Sequence, residues 1–202
     1  LFSAGANPIM HHEGWRPMSV LGVDVGTTGC KAAAFSEEGH LLAYAYDEYN
    51  INRPHPMWAQ LNVQEVWDRI RGALRLVASN TKNDPIRALS VSSLGEAVVP
   101  VTADRKILGP SILNEDARGG EFLPSLKAAL DDYYLHSVNG NTLENQYGLT
   151  KLLWLRKHRP EVYERTYKFL FWGSFVAYML GVDPVVDFSL ANRSLLFDIN
   201  TQ

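Results

Sequence analysis

Hydrophobic and polar residues alternate so as to divide the chain into short strands followed by helices. Residues 21–35 read LGVDVGTTGCKAAAF, two apolar stretches around a turn of glycines and threonines, which predicts a β-hairpin. Residues 41–51 alternate well enough to predict a third antiparallel strand. Between residues 62 and 77 the apolar residues recur on one helical face, and Asn62 with Glu65 has the pattern of a capping box, so this segment predicts a helix.

The second half of the chain alternates further strands and helices. Residues 86–92 and 97–101 predict strands, and the first carries few charges, which predicts a central strand. Helices are predicted over 150–158, 160–167 and 174–180. The order of elements therefore predicts an α/β domain, in which a mixed β-sheet has helices on its faces.

The turn of the hairpin has the composition of a phosphate-binding loop. Its glycines can adopt backbone angles closed to other residues, which lets N–H groups converge on an anion; its threonines add hydroxyl donors, and a lysine adds a cation. These residues are Gly26, Thr27, Thr28, Gly29 and Lys31. Asp24 precedes them and is a carboxylate able to hold Mg²⁺ through water. The spacing matches neither a Walker loop nor a dinucleotide fingerprint. An ordinary hairpin, in which Asp24 only caps its own turn, remains the alternative.

Length and composition predict a folded domain without a nucleic-acid or membrane partner. The chain has 202 residues, 46% of them hydrophobic and 20% charged, which is ordinary for a globular protein. Its net charge of −3 offers no electrostatic footprint for nucleic acid or anionic lipid, and residues 169–182, the most apolar stretch, are too few to span a bilayer. Cys30 is the only cysteine, which excludes an internal disulfide and indicates the cytoplasm; it is expected to be a small buried filler.

Further segments follow the phosphate turn in order: WAQ at 58–60, SLGE at 93–96, ILNEDAR at 112–118, KLLWL at 151–155 and DFSLANR at 187–193. Together with the turn, they make the chain resemble the FGGY carbohydrate kinases, a branch of the actin, Hsp70 and sugar-kinase superfamily. The resemblance spans roughly residues 20–200. It implies a ribonuclease H-like fold of the actin-like ATPase superfamily, ATP and Mg²⁺ as cofactors, and a sugar or polyol as substrate.

The resemblance also assigns residues to the sugar cleft. Glu96 stands where the glycerol-kinase branch has a substrate-binding glutamate, although from the residues alone it is equally a solvated turn residue. Asp116 and Arg118 match the family's W-x-D-x-R loop, in which Asn114 here replaces the tryptophan. Gln146 lies in a part that departs from the family's first signature, but it is placed where a side chain can reach a sugar hydroxyl.

Other residues of the matching segments are interpreted as structural. Lys151 can be read as a phosphate ligand, but its position in an apolar helical segment favours packing. Asp187, Ser189 and Arg193 have the pattern of a turn and a helix start. Trp58 precedes the capped helix as a hydrophobic staple would.

We expect residues 1–17 to form a disordered tail or a remnant of expression, and residues 18–202 to form the N-terminal domain of a two-domain kinase. By resemblance, the second domain would supply the adenosine pocket, and the general base would lie beyond residue 202. The expected activity is ATP-dependent phosphorylation of a sugar or polyol hydroxyl, with the isolated chain inactive. The alternative is a non-catalytic sugar-binding or regulatory protein derived from such a kinase. A homodimer is compatible with the sequence.

Overall fold

The computed structural model describes residues 18–201, so the tail predicted at residues 1–17 lies outside the described part. The strands are β1 (Ser19–Val25), β2 (Gly29–Phe35), β3 (Leu41–Glu48), β4 (Gln60–Leu61), β5 (Ile86–Ser93), β6 (Val98–Val101), β7 (Ser111–Ile112) and β8 (Lys168–Phe171). The helices are α1 (Val63–Asn80), α2 (Leu123–Ala129), α3 (Asp132–Asn139), α4 (Gly148–His158), α5 (Pro160–Arg165), α6 (Trp172–Met179) and α7 (Phe188–Asn192).

The main sheet has four strands in the order β3-β2-β1-β5. β1 and β2 form the predicted hairpin, in antiparallel register from Val20↔Phe35 to Val25↔Cys30. β3 pairs antiparallel with β2, which confirms the third strand, although it ends at Glu48. β5 pairs with β1 in parallel. The sheet is therefore mixed, as the order of elements predicted.

β5 does not have the central place that its low charge predicted. Within residues 18–201 it pairs only with β1, while the next strand, β6, pairs with β8 in a separate two-stranded sheet. Most of its side chains are exposed. Its sequence, IRALSVSS, contains few charges because it is rich in small alanine and serine residues, and small residues tolerate exposure as well as burial.

The core lies on one face of this sheet. α1 packs there against β2 and β3, burying an apolar stripe from Val63 to Val77 that includes Trp67, as its periodicity predicted. Asn62 caps α1 by accepting a hydrogen bond from the N–H of Glu65, at 3.3 Å. Cys30 lies in the same core, and burial raises its thiol pKa to about 11, as expected for a filler rather than a reactive thiol.

The remaining helices are confirmed with small changes of boundary. α4 begins two residues before the predicted start, at Gly148, and α5 ends at Arg165. α2 and α3 were not predicted, because both are short and α3 leaves Tyr133 and Tyr134 exposed. Across residues 18–201, every helix is too short or too polar to cross a bilayer.

A buried lysine joins α4 to the segment that follows β7. The Nζ of Lys151 donates to the backbone oxygen of Asp116 at 2.6 Å and to that of Arg118 at 2.8 Å, and the side chain is almost inaccessible to solvent. These contacts fit the packing interpretation of Lys151. Burial lowers the pKa of Lys151 to about 8, and a neutral amine still has the two N–H donors that the two carbonyl groups need.

This pKa predicts a pH-dependent stability. Between about pH 8 and 10.5, the ordinary pKa of a lysine, the unfolded chain binds up to one more proton at Lys151 than the folded chain, so this residue's contribution to the free energy of unfolding rises with pH. Relative to Lys151→Met, the wild-type chain should gain about 1–2 kcal/mol between pH 8 and about pH 9.5. Urea denaturation of the two proteins at both pH values measures the gain.

Lys106→Met is the matched control, since it removes a lysine that is largely exposed and paired with Asp104 at the surface. Its difference from the wild type should stay nearly constant over the same range. Parallel behaviour of Lys151→Met and Lys106→Met would contradict the prediction.

Candidate functional site

The phosphate turn and the Glu96 segment leave the sheet side by side. β1 and β5 are parallel neighbours, with Asp24 opposite Ser92 and Val25 opposite Ser93. One residue farther on, the N–H of Leu94 donates to the oxygen of Val25 at 2.9 Å. Because the carboxyl ends of parallel strands meet at one edge of a sheet, two segments that are distant in sequence form one surface.

The glycines of the turn are needed for close approach rather than for unusual backbone angles. Neither Gly26 nor Gly29 has a positive φ, so the expectation of left-handed conformations was wrong. A Cβ on Gly29 would lie 2.8 Å from a ring carbon and from the hydroxyl oxygen of Tyr46, and 3.0 Å from the backbone oxygen of Asp47. The N–H of Gly26 donates to the oxygen of Gly29 at 2.9 Å, which closes the hairpin and removes that donor from any nest.

Tyr49 holds the turn from the buried side. Its hydroxyl lies 2.7 Å from the oxygen of Gly26 and 3.0 Å from that of Gly29, and its N–H donates to the oxygen of Thr28 at 3.1 Å. Burial raises the pKa of Tyr49 well above its ordinary value. Sequence reasoning missed this residue, since it reads only as one more aromatic at the end of the predicted third strand.

The solvent side of the turn keeps its polar groups available. The side chains of Thr27 and Thr28 are exposed, and within residues 18–201 their N–H groups have no hydrogen-bond partner. Asp24 and Lys31 face each other across the hairpin at 3.7 Å, each about half exposed. An exposed pair at this distance contributes at most about 1 kcal/mol, so a phosphate group and its counter-ion can separate the two charges at little cost.

Asp24 fits the chemistry of a magnesium ligand. Mg²⁺ prefers oxygen ligands and usually takes one or two carboxylates, with water and phosphate oxygens completing its shell. Among the described residues, no group of three or more His, Cys, Asp or Glu side chains could hold a metal by itself. The single half-exposed carboxylate of Asp24 is therefore suited to a Mg²⁺ ion that binds together with a phosphate ligand.

Glu96 is half-buried at this edge and paired with an arginine from the far end of the chain. Its Oε1 accepts from the Nε of Arg193 at 2.8 Å and from the Nη2 of the same side chain. The guanidinium also stacks on the ring of Tyr147, 4.8 Å from its centroid. Sequence reasoning interpreted Arg193 as part of a helix start. No local pattern could pair it with a residue 97 positions earlier.

Asp116 and Arg118 form a buried ion pair beneath the neighbouring loop. Asp116 binds the Nε and Nη2 of Arg118 at 2.9 and 2.7 Å and also accepts from the N–H of Ala59 at 2.5 Å. The guanidinium packs against both Trp58 and Trp154, which contact each other edge to face, and its carbon lies 4.2 and 5.2 Å from the two ring centroids. Burial alone would raise the pKa of Asp116, but these hydrogen bonds outweigh it and lower the pKa. The two side chains are thus largely occupied in holding the loop.

Gln146 and Asn114 are exposed on the two segments that this cluster joins. The Nδ2 of Asn145, next to Gln146, donates to the backbone oxygen of Asp116 at 2.9 Å. The start of α4 and the loop after β7 are therefore fixed to each other. This brings Gln146 into the same region of the surface as the loop carrying Asn114 and Asp116.

Comparison with known proteins identifies the fold and the family. The model of the FGGY family of carbohydrate kinases, N-terminal domain, matches residues 19–202. The glycerol kinase of Thermococcus gammatolerans is 28% identical over 89% of this chain and 38% of its own length. The xylulose kinase of Escherichia coli is 24% identical over 89% of this chain and 37% of its own length.

Solved structures agree. The xylulose kinase of Rhodospirillum rubrum superposes with a TM-score of 0.84 and 26% identity, covering 90% of this chain and 38% of that protein. The chain thus spans well under half the length of the relatives it matches. With the ribonuclease H-like fold of the actin-like ATPase superfamily, the chain belongs to the FGGY family of carbohydrate kinases.

Proposed function

We propose that this chain forms the sugar-binding wall and the first phosphate turn of an enzyme that transfers the γ-phosphoryl group of ATP to a hydroxyl of a sugar or polyol. The observation that carries the proposal is the parallel pairing of β1 and β5. Through this pairing, the phosphate turn, with its free N–H donors and Asp24, lies next to the segment that carries Glu96. Phosphoryl transfer depends chiefly on positioning and charge stabilisation, and both need the two substrates at one edge.

On the phosphate side, the proposal gives Thr27 and Thr28 the role of donors through their N–H and hydroxyl groups, and Lys31 that of a cation. Gly26 shapes the turn without donating, because its N–H is already bonded. Asp24 would hold Mg²⁺ through water. Bound Mg²⁺ would offset charge on the phosphate oxygens.

On the sugar side, Glu96 would accept hydrogen bonds from hydroxyl groups, and the amide of Gln146 would accept or donate. Asp116 and Arg118 would act by fixing the loop, since their polar atoms are bonded to each other and to the backbone. The proposal places the general base beyond residue 202, in the part of the relatives' length that this chain does not span. It also places the protein in the cytoplasm, where ATP is available.

The first prediction concerns Asp24 in a full-length polypeptide that contains this segment. Asp24→Asn should lower kcat about a hundredfold or more, because an electrostatic stabiliser of the transferring phosphate is lost. The Kd for sugar should barely change, since Asp24 lies on the phosphate side. Asp104→Asn, which alters a surface carboxylate paired with Lys106, is the control and should keep its kcat. A folded Asp24→Asn enzyme with unchanged kcat would end this assignment.

The second prediction concerns Glu96. Glu96→Gln should weaken sugar binding by about 1–3 kcal/mol, because a charged acceptor facing hydroxyl groups is replaced by a neutral amide. ATP binding should stay within about twofold, and calorimetry measures both affinities. Glu161→Gln is the control. It removes a carboxylate that likewise accepts from an arginine, Arg159, but that lies on α5, and it should change neither sugar binding nor ATP binding. Equal losses of sugar and ATP binding in Glu96→Gln would indicate a folding defect instead.

The third prediction concerns the 202-residue chain alone. It should unfold cooperatively, because its own sheet and helices supply a core. It should show no sugar-dependent ADP release across a broad panel of sugars and polyols, and calorimetry should find ATP·Mg²⁺ binding no tighter than about millimolar, since one wall of the cleft is present. Denatured protein is the control. Sustained sugar-dependent turnover would show that the catalytic machinery lies within these residues.

A further inference from the structure

Glu96 presents two unequal oxygens. Its Oε1 is occupied by the Nε and Nη2 of Arg193, whereas its Oε2 makes no hydrogen bond to the described residues. The pair is only partly shielded, because the Arg193 side chain is 32% exposed and that of Glu96 is 15% exposed. A ligand at this edge therefore meets one free carboxylate oxygen next to a guanidinium group.

The position of Arg193 is fixed from two directions. Its guanidinium stacks on Tyr147, a buried residue whose hydroxyl donates to Asn141 at 3.2 Å. Its backbone oxygen accepts from the N–H of Gly148 at 3.2 Å. The preceding residue, Asn192, is bonded through its side chain to Asn141 at 2.5 Å. An exposed arginine usually samples many rotamers, and these contacts remove that freedom.

A fixed guanidinium beside a free carboxylate oxygen offers one hydrogen-bond donor and one acceptor in fixed positions, so it binds hydroxyl groups in one arrangement. One hydroxyl of a vicinal pair can donate to Oε2 of Glu96, and its neighbour can accept from the outer N–H of Arg193. With the rigid surface around the pair as a third contact, the epimer at either carbon directs the rest of its chain elsewhere and loses one of the two bonds. The charges of Glu96 and Arg193 also neutralise each other, so the pair does not specifically attract an anionic sugar acid.

We propose that Arg193 is a positioning residue for the substrate: it holds Glu96 so that one oxygen faces the cleft, and together they select a neutral sugar or polyol with vicinal hydroxyls of one configuration. This inference rests on the proposed function, because it takes Glu96 as part of the sugar site.

The test measures kcat and KM of the full-length kinase for glycerol, ribitol, D-arabinitol, xylitol, D-xylulose and D-gluconate. In Arg193→Gln, the KM for the best substrate should rise about tenfold or more, with kcat within about threefold, because ground-state orientation is lost. The ratio of kcat/KM between that substrate and its epimer should fall about tenfold, since a site built around paired hydrogen bonds discriminates strongly. Arg193→Lys should keep the charge without restoring the ratio, because an ammonium lacks the planar fork.

Arg105→Gln is the matched control. Arg105 stacks on Tyr178 at the same 4.8 Å and donates its Nε to the backbone oxygen of Tyr178 at 2.9 Å, but it has no contact with Glu96. Both variants lose one charge and one arginine–tyrosine stack, but only Arg193→Gln removes the partner of Glu96. The substrate ratio should change only in Arg193→Gln.

A double variant shows whether Arg193 acts through Glu96. If it does, Glu96→Gln and Arg193→Gln together should cost clearly less in kcat/KM than the sum of the two single losses, because part of the effect of Arg193 passes through Glu96. Additive losses, or an unchanged epimer ratio in Arg193→Gln while the wild type turns over, would overturn this inference and leave the proposed function standing. A wild-type enzyme that neither phosphorylates nor binds any member of the panel would overturn both.

Discussion

The parallel pairing of β1 with β5 is the constraint on which the candidate site depends. The hairpin of β1 and β2 is local and can form early, but its turn gains a neighbour only when a strand 68 residues later aligns with it, as Ala88 does with Val20. A shift of one residue would turn the side chains of β5 to the opposite face. The bond from the N–H of Leu94 to the oxygen of Val25 extends this register past the ends of both strands. The spatial relation of the two segments is therefore a property of the backbone, which side-chain substitutions at the surface leave intact.

The loop after β7 is fixed by a different kind of interaction. Burying Asp116, Arg118 and Lys151 has a desolvation cost of several kcal/mol per charge in a protein interior. Here that cost is offset by a bidentate pair, by backbone donors and acceptors, and by the rings of Trp58 and Trp154. Such a cluster contributes little net stability, but removing Asp116 or Arg118 leaves the other charge without its partner. Removing Lys151 leaves two buried carbonyl oxygens without this donor. Its main effect is to give the loop a single conformation.

Local patterns made most of the fold predictable. The hairpin turn, the cap at Asn62 and the amphipathic stripe of α1 depend on neighbouring residues, and each was read correctly from its spacing. The edge position of β5 was not, because composition shows how polar a strand is and not how many strands lie beside it. The short helices α2 and α3 were missed since their apolar periodicity is weak.

The same distinction between local and long-range contacts applies to the candidate site. The turn residues from Asp24 to Lys31 could be selected from sequence because their chemistry is contiguous. The partner of Glu96 could not, since Arg193 lies 97 residues away and its own surroundings indicate only a turn and a helix start. The role of Tyr49 could not be predicted either, because a tyrosine that only packs and one that also bonds to a turn have the same local sequence pattern. Contacts made across the fold carry no signal in a single sequence.

The phosphate side and the Glu96 side of the site are preorganised to different degrees, and the physical reason is the kind of ligand that each would bind. A phosphate carries its own charge and counter-ion, so half-exposed groups such as Asp24 and Lys31 can stay weakly paired until the ligand replaces solvent around them. A neutral polyol offers only hydroxyl groups, whose bonds to protein merely replace bonds to water, so selection must come from acceptors and donors held in place beforehand. The stacked and bonded Arg193 supplies that order at Glu96. The rigid pair of Glu96 and Arg193 is thus suited to recognising a neutral ligand. The more exposed pair of Asp24 and Lys31 is suited to a charged ligand that orders these side chains when it binds.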